Sequence, residues 1–487
     1  MHRHDVIIIG GGISGASALY WLASTGVNVL LLERGPRLGG VMGSRRSELG
    51  ALMETGPTSA QMKSGDLVDL VEGLGLIEHV VRPSELAANR YIMRGGELIC
   101  VPTSPRSFIR SRLFSTAAKL RAFREPFVAS VSDGIEESVA QFVERRLGRE
   151  VLDYAVNPFI SGIYAGRPEH LSARYAFPVL HELEQASGSL FKGGIRKARQ
   201  ARKERKKVGE NGHAARRGIF SFDEGMGALP SAIENRWHAA IRTNVTVQRM
   251  ERRENTWIVY TSEGIFLAER IVLATEAGAA AGLLDGLDVT AAAALRSIEH
   301  PPVAVAHALY DRSAVAHPLD GFGLLIPEVE KRNILGVIFS SSLFPGRAPE
   351  GTVLLTAFVG GARSPELALR PYDEMLYDVH GELRRSLGIS ARPKEFEVQL
   401  WPRAIPQYNL GYGAILDALA GAEQRLHGLH LLGSYRGGIA IGDCVSSART
   451  LARRLLAEKG VPADDARLTT YRQEEEERLI DHPGAHS

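Results

Sequence analysis

A chain of 487 residues with 44% hydrophobic and 23% charged side chains is too long for a single growing core and too ordinary in composition to be disordered or fibrous, so two or three domains are expected. Its net charge of only +2 gives no overall bias toward nucleic acid or a strongly acidic partner. The two cysteines, Cys100 and Cys444, allow at most one disulfide, offer no clustered spacing for a metal, and fit a reducing cytoplasm.

In chain order, the first element is the β-branched run Asp5 to Ile9, short and continuous as a strand buried on both faces should be. The basic Met1 to His4 ahead of it looks like the start of a signal peptide, but Gly10 to Gly12 break the apolar run and no cleavage-like site follows. From Ile13 to Thr25 the spacing of Ala16, Leu19, Tyr20, Leu22 and Ala23 is helical, Gly26 stops it, and Val27 to Leu32 is a second strand. This is a βαβ unit. Helix formers dominate from about Ser104 to Glu210, densest over Ile135 to Arg145 and Gln185 to Arg205, and predict an inserted helical region. Strand-like runs return after Ile219, at Trp257 to Tyr260, Ile271 to Leu273, Val303 to Leu309, Leu324 to Ile326 and Val353 to Val359, and imply a second sheet. A last periodic helix, Ser446 to Glu458, follows a glycine-rich turn and returns the chain to its starting domain. No stretch reaches the roughly 18 to 20 apolar residues of a spanning helix, so any membrane contact would lie at the surface.

Gly10, Gly11 and Gly12, then Ile13, Ser14 and Gly15, put glycines at the first, third and sixth places of the dinucleotide fingerprint, between strand and helix. Gly10 permits the tight turn, Gly12 lets the backbone approach a pyrophosphate, and Gly15 lets helix and strand pack closely, with the anion at the positive helix end. Glu33 ends the second strand where a carboxylate accepts hydrogen bonds from ribose hydroxyls. The continuation Glu33-Arg34, then Arg37-Leu38-Gly39-Gly40-Val41, resembles the extended fingerprint of FAD enzymes related to amine oxidases, and so favours FAD over NAD. Gly56, Pro57, Thr58 and Ser59, the region Thr243 to Thr246, and Ile271 to Thr275 resemble later FAD contacts of those enzymes, with Val247 as the adenine contact. Gly433 to Asp443 is a glycine-rich loop before a helix. It holds Ser434, Ile439, Ala440 and Ile441, and its backbone dipole would suit an anionic reduced flavin.

Five ordered stretches follow: Asn89 to Ile92, Gly162 to Gly166, Gly321 to Pro327, Phe344 to Pro349 and Trp401 to Gly411. With Tyr435 to Gly438 they resemble the oxygen-dependent protoporphyrinogen oxidase family over most of the chain. Carotenoid desaturases and amine oxidases share the N-terminal motif but not this later series. The resemblance implies an α/β fold: a two-dinucleotide-binding (Rossmann-like) FAD domain with a mixed-sheet substrate domain and an inserted helical domain. The expected division is FAD domain over 1–85, 216–290 and 406–470; substrate domain over 86–103 and 291–405; helical domain over 104–215; and a tail over 471–487.

It further implies that Arg90 pairs with a substrate propionate, that Leu325, Ile338 and Phe358 wall the tetrapyrrole, and that the backbone at Gly166 approaches it. Thr58 stands where some members carry a basic residue, so a part for it in substrate binding is not implied. The implied reaction removes six electrons from a porphyrinogen in three flavin cycles, with oxygen as acceptor and hydrogen peroxide as product. No residue stands out as a catalytic acid or base. A coproporphyrinogen III oxidase on the same fold is the alternative, then another amine oxidase-like or desaturase-like enzyme. A non-catalytic relative without flavin is disfavoured by the intact glycines and Glu33. Phe108, Leu113, Phe114 and Phe123 among Arg110, Arg112, Lys119 and Arg121 suit either an anionic bilayer surface or an ordinary helical hairpin. The expected location is the cytoplasm, with peripheral contact to the inner face of the cell membrane if that region meets a bilayer. A second copy of the chain is a further candidate partner. The basic run from Lys192 to Arg217 is read as a solvated loop.

Overall fold

The computed structural model describes residues 3–131, 135–208 and 218–460, the side chains of 200–208 excepted. The tail at 471–487 and the end of the basic run, 209–217, lie outside these residues; the rest of that run belongs to the helix Leu190–Val208, not to a loop.

Two seven-stranded sheets organise the chain. In the first, Arg3–Ile9 pairs in parallel with Val29–Leu32 on one side and Gly264–Leu273 on the other. Ile241–Arg242 extends one end, Leu429–Leu431 joins Gly264–Leu273, and a meander through Thr256–Thr261 and Val247–Arg253 completes it. The β-branched run at the start is explained by burial on both sides. Val6 and Ile8 belong to one core with helix Ile13–Ala23 and helix Ile441–Glu458; Ile7 and Ile9 belong to another with the alanine-rich helices Ala277–Leu284 and Val289–Arg296. Such two-sided burial is what parallel strands require. The C-terminal helix starts at Ile441, earlier than the apolar periodicity from Ser446 suggests, because its first turn is a loop-like glycine segment that carries no such periodicity.

The second sheet runs Glu395–Trp401, Val303–Asp311, Thr352–Gly360, Gly336–Ile338, Gly321–Leu325, Asn89–Arg94 and Glu97–Cys100. It is mixed, since only Gly321–Leu325 and Asn89–Arg94 pair in parallel. One face is small and apolar: Ala304, Ala306, Ala308 and Ala357 pack with Leu324, Val337 and Leu355 against Met375, Val379 and Leu383 of helix Tyr372–Leu387. Alanines there let the helix lie close to the strands. The alternate residues of the same strands face away from that helix, toward the site described below.

Helices between Pro105 and Val208 fill the expected helical region. Its centre is a buried ion cluster. Arg146, with no exposure, donates to Glu125 Oε1 at 2.9 Å and from Nε to Glu184 Oε1 at 2.8 Å, while Glu125 also accepts from the backbone of Leu190 at 2.8 Å. Two of the residues expected to face a bilayer are core: Leu113 is 1% and Phe114 6% exposed. Two of the expected surface cations are also engaged internally. Lys119 donates to the carbonyls of Ile109 and Ser111, and Arg121 to that of Arg145. No helix among the described residues is long and apolar enough to cross a membrane. Cys100 and Cys444 are both free thiols, one exposed and one buried.

Candidate functional site

The glycines of the first turn serve three separate needs. Gly10 has φ +104, which only glycine adopts without strain, and a Cβ there would sit 2.8 Å from the carbonyl oxygen of Ala274. A Cβ on Gly15 would collide with the carbonyl of Gly10, so helix and strand touch backbone to backbone. Gly12 differs: it has ordinary extended geometry (φ −62, ψ 173) at the N-cap of helix Ile13–Ala23, and a Cβ would meet nothing within 4 Å. Its surroundings are a cradle that a side chain would fill, at the positive end of a helix whose first N–H groups have no side-chain cap.

Glu33, half-buried at the end of Val29–Leu32, accepts from the backbone N–H of Gly11 and of Gly35, each at 2.6 Å. Each oxygen thus keeps a lone pair for a further donor, and the carboxylate is oriented beside the cradle. Asn244 N donates to the Gly35 carbonyl and Val245 N to that of Glu33, both at 2.9 Å, which sets Val247 just beyond, half-buried at the start of its strand. Arg34 and Val41 are exposed; Gly40 (φ +57) packs on Gly12, and a Cβ on Gly56 would collide with the carbonyl of Val41. The structure therefore gathers the turn 10–15, Glu33, Gly40, Val41 and the loop 56–59 along one edge of the first sheet. A pyrophosphate cradle, an oriented carboxylate and a positive helix end form the donor set a dinucleotide needs, and the residues fit FAD.

The loop from Ser434 to Ile441 reaches the same edge from the other end of the chain. Tyr408 donates to the carbonyl of Ser434 at 2.7 Å and accepts from Gly438 N at 3.0 Å; Tyr412, stacked on it at 4.3 Å, donates to the carbonyl of Tyr435. Ile439 and Ala440 lie at the mouth of helix Ile441–Glu458, which Arg449 ties to Asp66 at 2.9 Å.

Of the five expected substrate contacts, four share the open face of the second sheet. Leu325 pairs with Gly336 and Gly336 with Phe358; Ile338 lies two residues on from Gly336. Leu325 also pairs with Ile92, so Arg90, two residues before it, projects to the same side, exposed, with its guanidinium 5.5 Å from the Phe322 ring centre. Gly166 is not on this face. It is buried, and a Cβ there would collide with Gln407 Oε1, so packing accounts for the glycine. A small cavity joins the two sets of residues: Thr58 from the cofactor edge meets Ile338, Ser340 and Thr356 from the sheet, closed by Glu54 and Arg347.

Several residues of this junction were not singled out from sequence. Glu54, 4% exposed, accepts from Ser44 Oγ at 2.5 Å and Met226 N at 3.0 Å and lies 3.4 Å from Arg347; burial pushes its carboxyl up. His307, 2% exposed, meets the Glu54 carbonyl at 2.9 Å and Thr356 Oγ1 at 3.0 Å, and burial holds its pKa down to about 4. Trp401 Nε1 donates to the Thr55 carbonyl at 2.6 Å. Trp401 and Arg347 do sit inside stretches that carry the resemblance, whereas His307 is hidden in a strand-like run.

Residues 11–456 match the family described as flavin containing amine oxidoreductase. Among curated relatives, the mitochondrial protoporphyrinogen oxidase of Nicotiana tabacum is 32% identical over 470 residues, 91% of this chain and 92% of that one. The protoporphyrinogen oxidase of Homo sapiens is 31% identical over 474 residues, 93% of this chain and 98% of that one. A crystal structure from Exiguobacterium sp. 255-15 has the same fold, with TM-score 0.77 at 23% identity, covering 94% of this chain and all of the other.

Proposed function

Because the chain belongs to the protoporphyrinogen oxidases within the flavin containing amine oxidoreductases, we propose that it oxidises protoporphyrinogen IX to protoporphyrin IX in haem biosynthesis, with oxygen as acceptor and peroxide as product. It is an FAD-dependent oxidoreductase. FAD, when bound, supplies the redox chemistry, taking two electrons from the substrate at each turn and passing them to oxygen. The chain's own residues bind and orient.

Gly10 to Gly15 and the end of helix Ile13–Ala23 hold the pyrophosphate, Glu33 the ribose, and Val247 the adenine, with Arg34, Gly40, Val41 and the loop Gly56 to Ser59 along the cofactor. Ser434 and Ile439 to Ile441 flank the flavin. On the sheet, Leu325, Ile338 and Phe358 form an apolar wall for the macrocycle, and Arg90 holds a propionate at its rim by a bidentate, charge-assisted contact. The observation that carries this reading is the gathering of an apolar wall and an exposed guanidinium on one face that meets the cofactor edge at Thr58. The relatives' names favour protoporphyrinogen over coproporphyrinogen. An anaerobic preparation of each porphyrinogen, offered to the enzyme on admission of air, tests it: rapid formation of protoporphyrin supports the reading, and preferential oxidation of coproporphyrinogen III would overturn the substrate.

We also propose that the enzyme is cytoplasmic and meets a membrane surface, through a patch that keeps Phe123, Arg110 and Arg112 of the one the sequence suggested and replaces the buried Leu113 and Phe114 with Leu120 and Phe127. Leu120, Phe123 and Phe127 are 60%, 56% and 89% exposed in the helical region, beside the exposed Arg110 and Arg112, and such a mixture suits an anionic bilayer.

A further inference from the structure

The segment Leu52–Glu54 ends against the second sheet, and its last carbonyls are taken by that sheet's side chains. His307 Nε2 lies 2.9 Å from the Glu54 carbonyl and Trp401 Nε1 lies 2.6 Å from the next one, Thr55. In an extended strand successive carbonyls point in opposite directions. Two consecutive carbonyls aimed at one surface therefore mark a bend, and the bend delivers Gly56, Pro57, Thr58 and Ser59 to the junction of cofactor edge and sheet. The donors come from neighbouring strands and one face: His307 pairs with Glu397, and Val303, four residues before it, pairs with Trp401.

The polarity of the contact is fixed. A carbonyl can only accept, so Nε2 of His307 carries the proton. Nδ1 of the neutral ring then accepts from Thr356 Oγ1 at 3.0 Å, and Thr356 accepts from Ser340 Oγ at 2.7 Å. A buried relay of two hydroxyls and one imidazole ends on the Glu54 carbonyl, two residues before the loop. Neither His307 nor Trp401 is among the residues that face the macrocycle or FAD in the reading above.

We propose that His307 and Trp401 are positioning residues that, through the carbonyls of Glu54 and Thr55, fix how the Gly56 to Ser59 loop sits between flavin and substrate face. The inference rests on the reading of that loop as a flavin contact. Displacement of a loop by a fraction of the reacting distance lowers turnover more than affinity.

The test uses the FAD-loaded enzyme and three variants: Trp401→Phe, which removes the N–H and keeps a smaller aromatic ring; His307→Leu, which removes the donor; and His307→Gln, which retains an amide N–H. Trp401→Phe and His307→Leu should each shift the visible flavin absorbance and circular dichroism and lower kcat about tenfold with KM within about twofold. His307→Gln should recover most of both. Wild-type kcat and flavin spectra in Trp401→Phe and His307→Leu would overturn the proposal, as would equal losses in His307→Gln and His307→Leu. If His307→Leu does not fold, Trp401→Phe decides alone. The flavin spectra need no substrate, so a wild type that binds FAD but ignores protoporphyrinogen would refute the functional reading and leave the clamp tested.

Discussion

The residues proposed to cradle the pyrophosphate at the first sheet are mostly glycines within six positions of one another, Gly10 to Gly15, whereas those proposed to face the substrate on the second come from strands as distant in sequence as Arg90 and Phe358. In the first, what matters is where a side chain cannot be: Gly10 and Gly15 are dictated by backbone collisions and Gly12 by an open cradle. In the second, what matters is which side chains alternate onto the uncovered face, while their neighbours in the strand pack against helix Tyr372–Leu387. A cofactor's phosphates are held by backbone, which local sequence shapes; a substrate's apolar body is held by side chains, which only the assembled sheet aligns.

The comparison breaks most sharply at two glycines three residues apart. Gly15→Val should give no soluble folded enzyme, because the side chain collides with the carbonyl of Gly10. Gly12→Val should keep the fold and lose FAD, since its Cβ meets no protein atom within 4 Å. Flavin content and far-UV circular dichroism of the two proteins separate the cases. Two folded, FAD-loaded variants would disprove the placement.

Each sheet also buries one neutral histidine, His307 in the second and His430 in the first, both with pKa held down to about 4, chiefly by burial. The folded values lie below the ordinary 6.5, so the stability they confer is present above pH 6.5 and is lost as pH falls toward 4. With a gap of roughly two units or more, each contributes on the order of 3 kcal/mol. Thermal melts should drop between pH 7 and 5, and His430→Gln or His307→Gln should each flatten the slope. The variant that flattens it more identifies the sheet that yields first to acid. A pH-independent Tm would refute both.

Arg90→Ala should cost about 2 kcal/mol in transition-state binding, roughly a 30-fold loss in kcat/KM, with FAD content unchanged. Arg90→Lys should recover only part, since it lacks the planar fork. Wild-type kcat/KM for protoporphyrinogen IX in Arg90→Ala would remove the anchor from the second sheet. The helical region, which belongs to neither sheet, should give the smallest effect. Leu120, Phe123 and Phe127 replaced together by Ser should reduce recovery with anionic liposomes in flotation and leave activity on dispersed substrate within about twofold. Equal recovery of both proteins would exclude that surface.

The fingerprint, the βαβ unit and the helical insertion were legible because each is written in local spacing: glycines at fixed offsets, a continuous β-branched run, helix formers without strand runs. The alternation that exposes Leu325, Ile338 and Phe358 was visible only through family resemblance, since an apolar residue on a strand looks the same on either face. The short polar strand Ser44–Arg46 carries no apolar signal and was missed, whereas Glu395–Trp401 alternates Phe396, Val398 and Leu400 with polar residues and was legible in period yet not identified. The polar junction of Glu54, His307 and Trp401 could not be read at all, because it depends on one carbonyl after another being met by residues some 250 to 350 positions away. Leu113 and Phe114 illustrate the reverse error: an apolar run next to arginines is compatible with a bilayer, yet both side chains are used up in the core.

The parallel pairing of Arg3–Ile9 with Gly264–Leu273, and of Gly264–Leu273 with Leu429–Leu431, has a temporal side. The first strand finds Val29–Leu32 early but waits for Gly264–Leu273, which in turn waits for Leu429–Leu431, and Asn89–Arg94 likewise waits for Gly321–Leu325. During synthesis the β-branched N-terminal strand therefore keeps one edge unpaired until more than half of the chain is made, and neither sheet can close on a nascent fragment. Pairing of such long sequence separation folds slowly and leaves edges exposed. Chains released early should aggregate rather than accumulate as folded halves, and flavin supplied only at the end of synthesis has a complete cradle to bind.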